Sequence, residues 1–216
     1  MRTPRILILV FLAAIVAVSC TVGPTLTPII DPMQRLQFRG FSILPPRGDN
    51  WFMDASPINP CVPDWTCDVV FVKYLKVPAT RPAEFKSVVV SARTRSLGDV
   101  KFESRTELLQ QLARELLEHY GREPQSRFLK SKASLEKCLG WNCVRYEATV
   151  EDYSSRFFPG SVFIVNLLGF LYLHPDSTAS IVALEYSQRY IKGEMTPRLE
   201  AEVEPFLKSL ALGPLR

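Results

Sequence analysis

Histidine is almost missing from this chain of 216 residues. The two that occur, His119 and His174, have no second histidine or carboxylate at metal-ligand spacing, so no metal site is expected. No G-x-S-x-G elbow presents an activated serine, and neither a P-loop nor a G-x-G-x-x-G turn is there to cradle a phosphate. Glu151 and Asp152 are adjacent, and on a strand they would point to opposite faces, so they cannot flank one scissile bond. These gaps predict a non-enzymatic role with no catalytic residues and no cofactor. Basic residues form no concentrated run with interleaved aromatics, which argues against a nucleic-acid partner. Formal charge is +4, and losing Arg2 and Arg5 with a leader would lower it by two. No low-complexity tract occurs, and hydrophobic content of 47% reads as globular.

Long apolar runs are also scarce. A membrane-spanning helix needs roughly 20 apolar residues, whereas the N-terminal run from Ile6 to Val18 supplies 13. Arg2 and Arg5 precede it, and Ala17-Val18-Ser19-Cys20 closes it. Charge, short apolar region and small residues are the parts of an export signal. The layout resembles the signal peptide and lipobox of bacterial lipoproteins. That resemblance implies a signal peptide over 1–19, acylation of Cys20 (palmitate and related chains) and attachment to a membrane. Ala17 stands where Leu or Val is commoner. Ala17 and Ser19 also suit ordinary signal peptidase, and an uncleaved short anchor is the third alternative. Several acyl chains hold a membrane firmly where one binds marginally. Thr21 rather than Asp follows the cysteine, which by analogy with enteric lipoproteins favours a periplasm-facing place on the outer membrane.

Five cysteines leave one over in an oxidising compartment. If Cys20 is lipidated, Cys61, Cys67, Cys138 and Cys143 remain, with three possible pairings. Spacing favours Cys61–Cys67 and Cys138–Cys143, each around a loop of turn-forming residues. Such a short closure restricts the unfolded chain by roughly 2 kcal/mol. The C-x5-C and C-x4-C spacings depart from zinc knuckles, and no C-x-x-C redox pair exists.

Pro24, Pro28 and Pro32 mark 20–35 as a tether, reaching on the order of 45–50 Å when extended. A single domain is expected over 36–213. Leu36–Leu44 alternates as a strand, Pro45-Pro46-Arg47-Gly48 breaks it, and Trp51-Phe52 restarts an extended segment. Val69–Val77 and Phe85–Thr94 are dense in strand formers, and Arg93 and Arg95 suggest a solvated strand face. Ser104 and Glu107 form a capping box, after which Leu108, Leu112, Leu116 and Tyr120 share one helix face until Gly121 and Pro124. Four strands follow, Ser126–Glu136, Asn142–Glu151, Ser161–Leu173 and Thr178–Tyr190, the third apolar on both faces and so central. Thr196-Pro197 opens a last helix with Leu199, Val203, Phe206, Leu207 and Leu210 buried, interrupted by Pro205.

The fold class is α+β, an antiparallel sheet of about six to eight strands packed between two helices. This element order resembles the Mog1/PsbP-type α/β/α sandwich, over about residues 36 to 212. The opening Gly40-Phe41-Ser42-Ile43 with Pro45-Pro46, Gly48, Asn50 and Trp51 resembles some uncharacterised bacterial lipoproteins. Members of the broader fold group mostly bind or assemble other proteins, which implies a binding or assembly-accessory domain contacting another envelope protein. The alternative is a small-molecule or lipid carrier with an apolar pocket near Val162–Leu173, and the third reading an envelope hydrolase. Trp51, Trp65 and Trp141 lie in or beside loops and are the candidate partner-binding residues. His119 reads as a helix-end residue and His174 as a turn residue.

Overall fold

The Val-rich and alternating runs condense mainly into one large sheet. A computed structural model describes residues 26–54, 66–73, 88–96, 104–121, 126–153, 160–176, 180–193 and 199–214. Within them the strands are β1 (Leu26–Pro28), β2 (Leu36–Phe38), β3 (Phe41–Ile43), β4 (Trp51–Asp54), β5 (Thr66–Lys73) and β6 (Val88–Ser96). Helix α1 (Arg105–Gly121) precedes β7 (Ser126–Cys138), β8 (Trp141–Asp152), β9 (Phe163–Leu173) and β10 (Ser180–Ile191). Helix α2 (Glu200–Leu207) and β11 (Ala211–Leu212) end the chain. Eight strands form the main sheet in the order β1-β4-β5-β6-β10-β9-β8-β7, and β11-β3-β2 form a small second sheet. All pairings are antiparallel.

β9 lies between β8 and β10, as its two apolar faces predict. Alternate residues of β10 divide between two clusters. Val182, Leu184 and Tyr186 pack with Val203, Phe206 and Leu207 of α2, while Ile181 and Ala183 pack with the leucines of α1. Strand residues one apart face opposite ways, so each helix serves its own side of the sheet. In α1 the Ser104 Oγ accepts the Glu107 N–H at 3.1 Å, satisfying one free amide of the first turn. Leu108, Leu109, Leu112, Ala113, Leu116 and Leu117 are buried, a wider stripe than the four-residue spacing suggests.

Several expectations change. Leu36–Leu44 is not one strand but the hairpin β2–β3, with Phe38 opposite Phe41 and Arg39-Gly40 between them. Gly40 has φ +82°, which glycine adopts without a Cβ clash. Alternation reports period, not the point where the chain folds back. Leu26–Pro28 hydrogen bonds β4 instead of belonging to the tether. Proline is tolerated there because β1 is an edge strand. The last helix begins at Glu200 behind Leu199, and Thr196-Pro197 lie outside the described residues.

Arg93 and Arg95 do not form a solvated face. Arg93 meets the buried Glu185 at 3.0 Å, and Arg95 meets Glu115 of α1 at 3.1 Å. Tyr146 Oη also donates to Glu185, at 2.8 Å. Its ring lies over Gly169, which stands opposite both Tyr146 and Glu185 in the register. His174 is no simple turn residue. It is 1% exposed, and its Nε2 lies 3.0 Å from the Gly40 carbonyl and 2.8 Å from that of Gly213. Its Nδ1 accepts the Asp176 N–H at 3.2 Å, which places the proton on Nε2. The imidazole thereby joins the β2–β3 turn, the C-terminal segment and the β9–β10 turn.

Candidate functional site

The two helices cover their faces unequally. α1 packs across β7, β8 and β9, whereas α2 reaches mainly β10. Helix α2 is short, running from Glu200 to Leu207 with Pro205 inside it, and the Lys208 N–H bonds the Glu204 carbonyl. Among the described residues, no helix covers part of β8 and β9 on this side. A cavity of about 600 Å³ opens there.

Its floor comes from alternate residues of β9, Leu168, Phe170 and Tyr172, together with Tyr186 of β10. Ala201, Val203 and Leu207 of α2 form one wall, and the β7–β8 turn from Glu136 to Leu139 forms another. The lining carries three acids, Glu136, Glu200 and Glu204, and three bases, Lys137, Arg145 and Lys208. Lys208 pairs with Glu204, and Arg145 lies 3.3 Å from Glu147. The rim is thus close to neutral in sum.

Two phenols border this space. Burial pushes the Tyr172 hydroxyl up to about 12, so it stays protonated and can donate. Burial, then the Glu200 and Glu202 carboxylates, push Tyr186 higher still. Tyr186 Oη donates to Gln188 Oε1 at 2.6 Å. Tyr172 is 1% exposed. A concave, largely apolar site suits binding of a small molecule.

Of the residues singled out by sequence, Cys138 and Cys143 are disulfide-bonded, with Cα atoms 5.7 Å apart, and Cys138 borders the groove. Cys20, Cys61 and Trp65 lie outside the described residues, and Cys67 is in β5 without a described side chain, so the Cys61–Cys67 pairing lies outside as well. His119 sits in the last turns of α1, its side chain likewise outside. Trp141 is 45% exposed beside the β7–β8 turn. Trp51 is a correction. It is 2% exposed, and its indole N–H donates to Glu202 Oε2 at 2.9 Å. Lys73 pairs with the same carboxylate and lies 5.5 Å from the indole ring. The ring is core because Glu202, distant in sequence, satisfies its one polar atom. The groove itself escaped the sequence reading except for β9.

No family model matches the chain, and no curated protein matches it significantly. Among solved structures the chain is similar to cyanobacterial PsbP (CyanoP) from Synechocystis sp. PCC 6803, at 12% identity and TM-score 0.48, covering 83% of this chain and 92% of that one. It is similar to LpqN, involved in cell envelope biogenesis of Mycobacterium tuberculosis, at 16% identity and TM-score 0.48, covering 88% and 91%. It is also similar to a single-residue mutant of the protein Mog1, at 12% identity and TM-score 0.42, covering 84% and 97%. Mog1 and PsbP are the names that the order of elements suggests. The likeness is one of architecture and says nothing of activity.

Proposed function

We propose that this chain is a lipid-anchored, non-enzymatic binding protein of the bacterial cell envelope, holding an apolar small molecule or lipid in the groove beside α2. The observation that carries this reading is the groove, about 600 Å³ with aromatic and aliphatic walls. Small-molecule sites run from roughly 300 to 1,000 Å³. The envelope address is supported by Arg2, Arg5, the run Ile6–Val18 and Cys20. Residues 1–19 are then removed, Cys20 carries the acyl chains, and a short segment joins them to an α/β/α sandwich of the Mog1/PsbP type. Thr21 supports a periplasm-facing place on the outer membrane.

Native mass spectrometry of protein extracted from its own membranes tests both halves. The expected spectrum has an amino-terminal acylated cysteine and a second, non-covalent mass that leaves on activation. A chain that arrives empty and takes up no apolar ligand overturns the groove reading. An unmodified amino terminus overturns the anchor.

One feature favours a second reading, contact with another envelope protein. β7 is a 13-residue edge strand, and Leu129, Leu135, Leu139 and Trp141 on the β7–β8 hairpin are 49%, 42%, 43% and 45% exposed. Unpaired edges with apolar side chains accept strands from partners. Crosslinking in intact cells should recover one constant partner through this hairpin; recovery of the chain alone counts against it.

A further inference from the structure

The kind of partner that the β7 edge accepts follows from its two faces, granted the second reading above. β7 runs from Ser126 to Cys138 and ends the main sheet. β8 bonds one side of it, and among the described residues no strand pairs with the other. Register divides its side chains. Ala133 and Leu135 stand opposite Tyr146 and Val144, which pack beneath α1. Lys130 and Lys132 stand opposite Thr149 and Glu147, on the other face of the sheet.

One face of the edge is thus basic and the other apolar. β7 carries four bases, Arg127, Lys130, Lys132 and Lys137, against one acid, Glu136. Arg127 is paired with Glu151 and Lys130 with Glu147, whereas Lys132 and Lys137 make no ion pair among the described residues. On the apolar face Leu135 is 42% exposed, although Val144 opposite it is fully buried. The core beneath α1 therefore stops at β7 with apolar surface still open.

Charge disfavours a second copy as the occupant. Two copies of β7 side by side would bring strands of the same net positive charge together, which is destabilising. Leu129 has no opposite residue in β8, so a bulge also interrupts the ladder between Phe128 and Lys130. Both features guard an edge against its own kind. They leave Lys130 to Cys138 in unbroken register with β8. An anionic membrane surface would use the lysines but not the open backbone groups.

We propose that β7 takes up an acidic, alternating strand of another envelope protein beside Lys130 to Cys138, its carboxylates lying next to Lys130 and Lys132 and its apolar side chains next to Ala133 and Leu135. Backbone hydrogen bonds supply the affinity, and the two unlike faces select the sequence. The incoming apolar side chains continue the core beneath α1, and the acids offset the surplus charge of β7.

The test uses the full mature chain and fluorescein-labelled peptides long enough to match Lys130 to Cys138. One alternates glutamate and valine, one has the same residues in blocks, and one alternates lysine and valine. Anisotropy should show the first binding about tenfold more tightly than either other, and less tightly as salt rises. Hydrogen exchange should slow along β7 when it binds. Lys132→Glu, at an exposed position, should weaken the glutamate peptide by about three- to tenfold and leave the thermal melt unchanged.

Equal binding of the blocked peptide overturns the addition of a strand, and equal binding of the lysine peptide overturns the need for acids. Binding to phosphatidylglycerol vesicles that Lys132→Glu abolishes, with no peptide bound, gives the basic edge to a membrane and overturns the proposal. Failure of every peptide, while crosslinking in cells still yields one constant partner through the hairpin, overturns the chemistry assigned to that partner alone. Failure of both overturns the second reading itself.

Discussion

Gly169 shows how one missing Cβ arranges a buried polar cluster. It lies opposite Tyr146 on one neighbouring strand and Glu185 on the other, and the phenol crosses the space where a side chain would stand. Gly169→Ala would drive the new methyl into the Tyr146 ring and pull the hydroxyl off Glu185. The expected loss is about 1–3 kcal/mol in urea denaturation, and Tyr146→Phe in the same background should recover none of the steric part. Glu151 gives a pH prediction. Lys192 at 2.5 Å and Tyr153 at 2.7 Å, with Arg127 at 2.6 Å, hold its carboxyl down to about 2 from an ordinary 4.5, against the opposing effect of burial. A depressed carboxyl stabilises the fold above its ordinary value and surrenders that contribution as pH falls toward 2. Urea midpoints should therefore drop on acidification from about pH 5 to about pH 2.5, and Glu151→Gln should flatten that drop. An unchanged acid slope in the variant would remove Glu151 from the account.

At the scale of elements, the β7–β8 hairpin and α2 decide the site. Cys138–Cys143 closes the hairpin turn, and Leu139 there takes φ +54°, an uncommon conformation for a branched side chain, beside Gly140 at +84°. Replacing both cysteines by serine should cost about 2 kcal/mol, the entropy of so short a loop. Because Cys138 and Leu139 border the groove, binding of an apolar ligand there should weaken as well. A double variant as stable as the parent would mean that the turn holds its shape through backbone contacts alone. Helix α2 is legible as an amphipathic stripe, and all five residues assigned to that stripe are buried.

Across the whole molecule, His174 ties segments far apart in sequence. Its Nε2 faces Gly40 and Gly213, residues 134 and 39 positions away. His174→Ala would take the donor from the Gly213 carbonyl, while the Gly40 carbonyl keeps the Gly213 N–H at 2.9 Å, and would open a cavity where the imidazole stood. At about 1–3 kcal/mol for the group left unsatisfied, with the lost packing added, the variant should unfold below the parent in thermal melts. His174→Asn cannot reach both carbonyls and should fall between. A variant melting with the parent would show the clasp to be incidental. No sequence signal marked this residue beyond its place before Pro175, because its partners come from a turn near the start and from the chain's end. Trp51 was opaque for the same reason: a tryptophan beside a loop reads as exposed until Glu202 is seen to meet its N–H.

The order of α1 and its four following strands, the central place of β9 and the buried stripe of α2 were fixed by local pattern alone. Periodicity, caps and turn formers act between residues a few positions apart, and no distant contact overrode them. Tertiary structure decided the rest: that Leu36–Leu44 folds back, that Leu26 joins the sheet, that Arg93 pairs with the buried Glu185, and that a groove remains beside α2. Each of these depends on which side chains meet across the sheet, and such meetings are set by register and helix length together, neither of which a linear pattern carries.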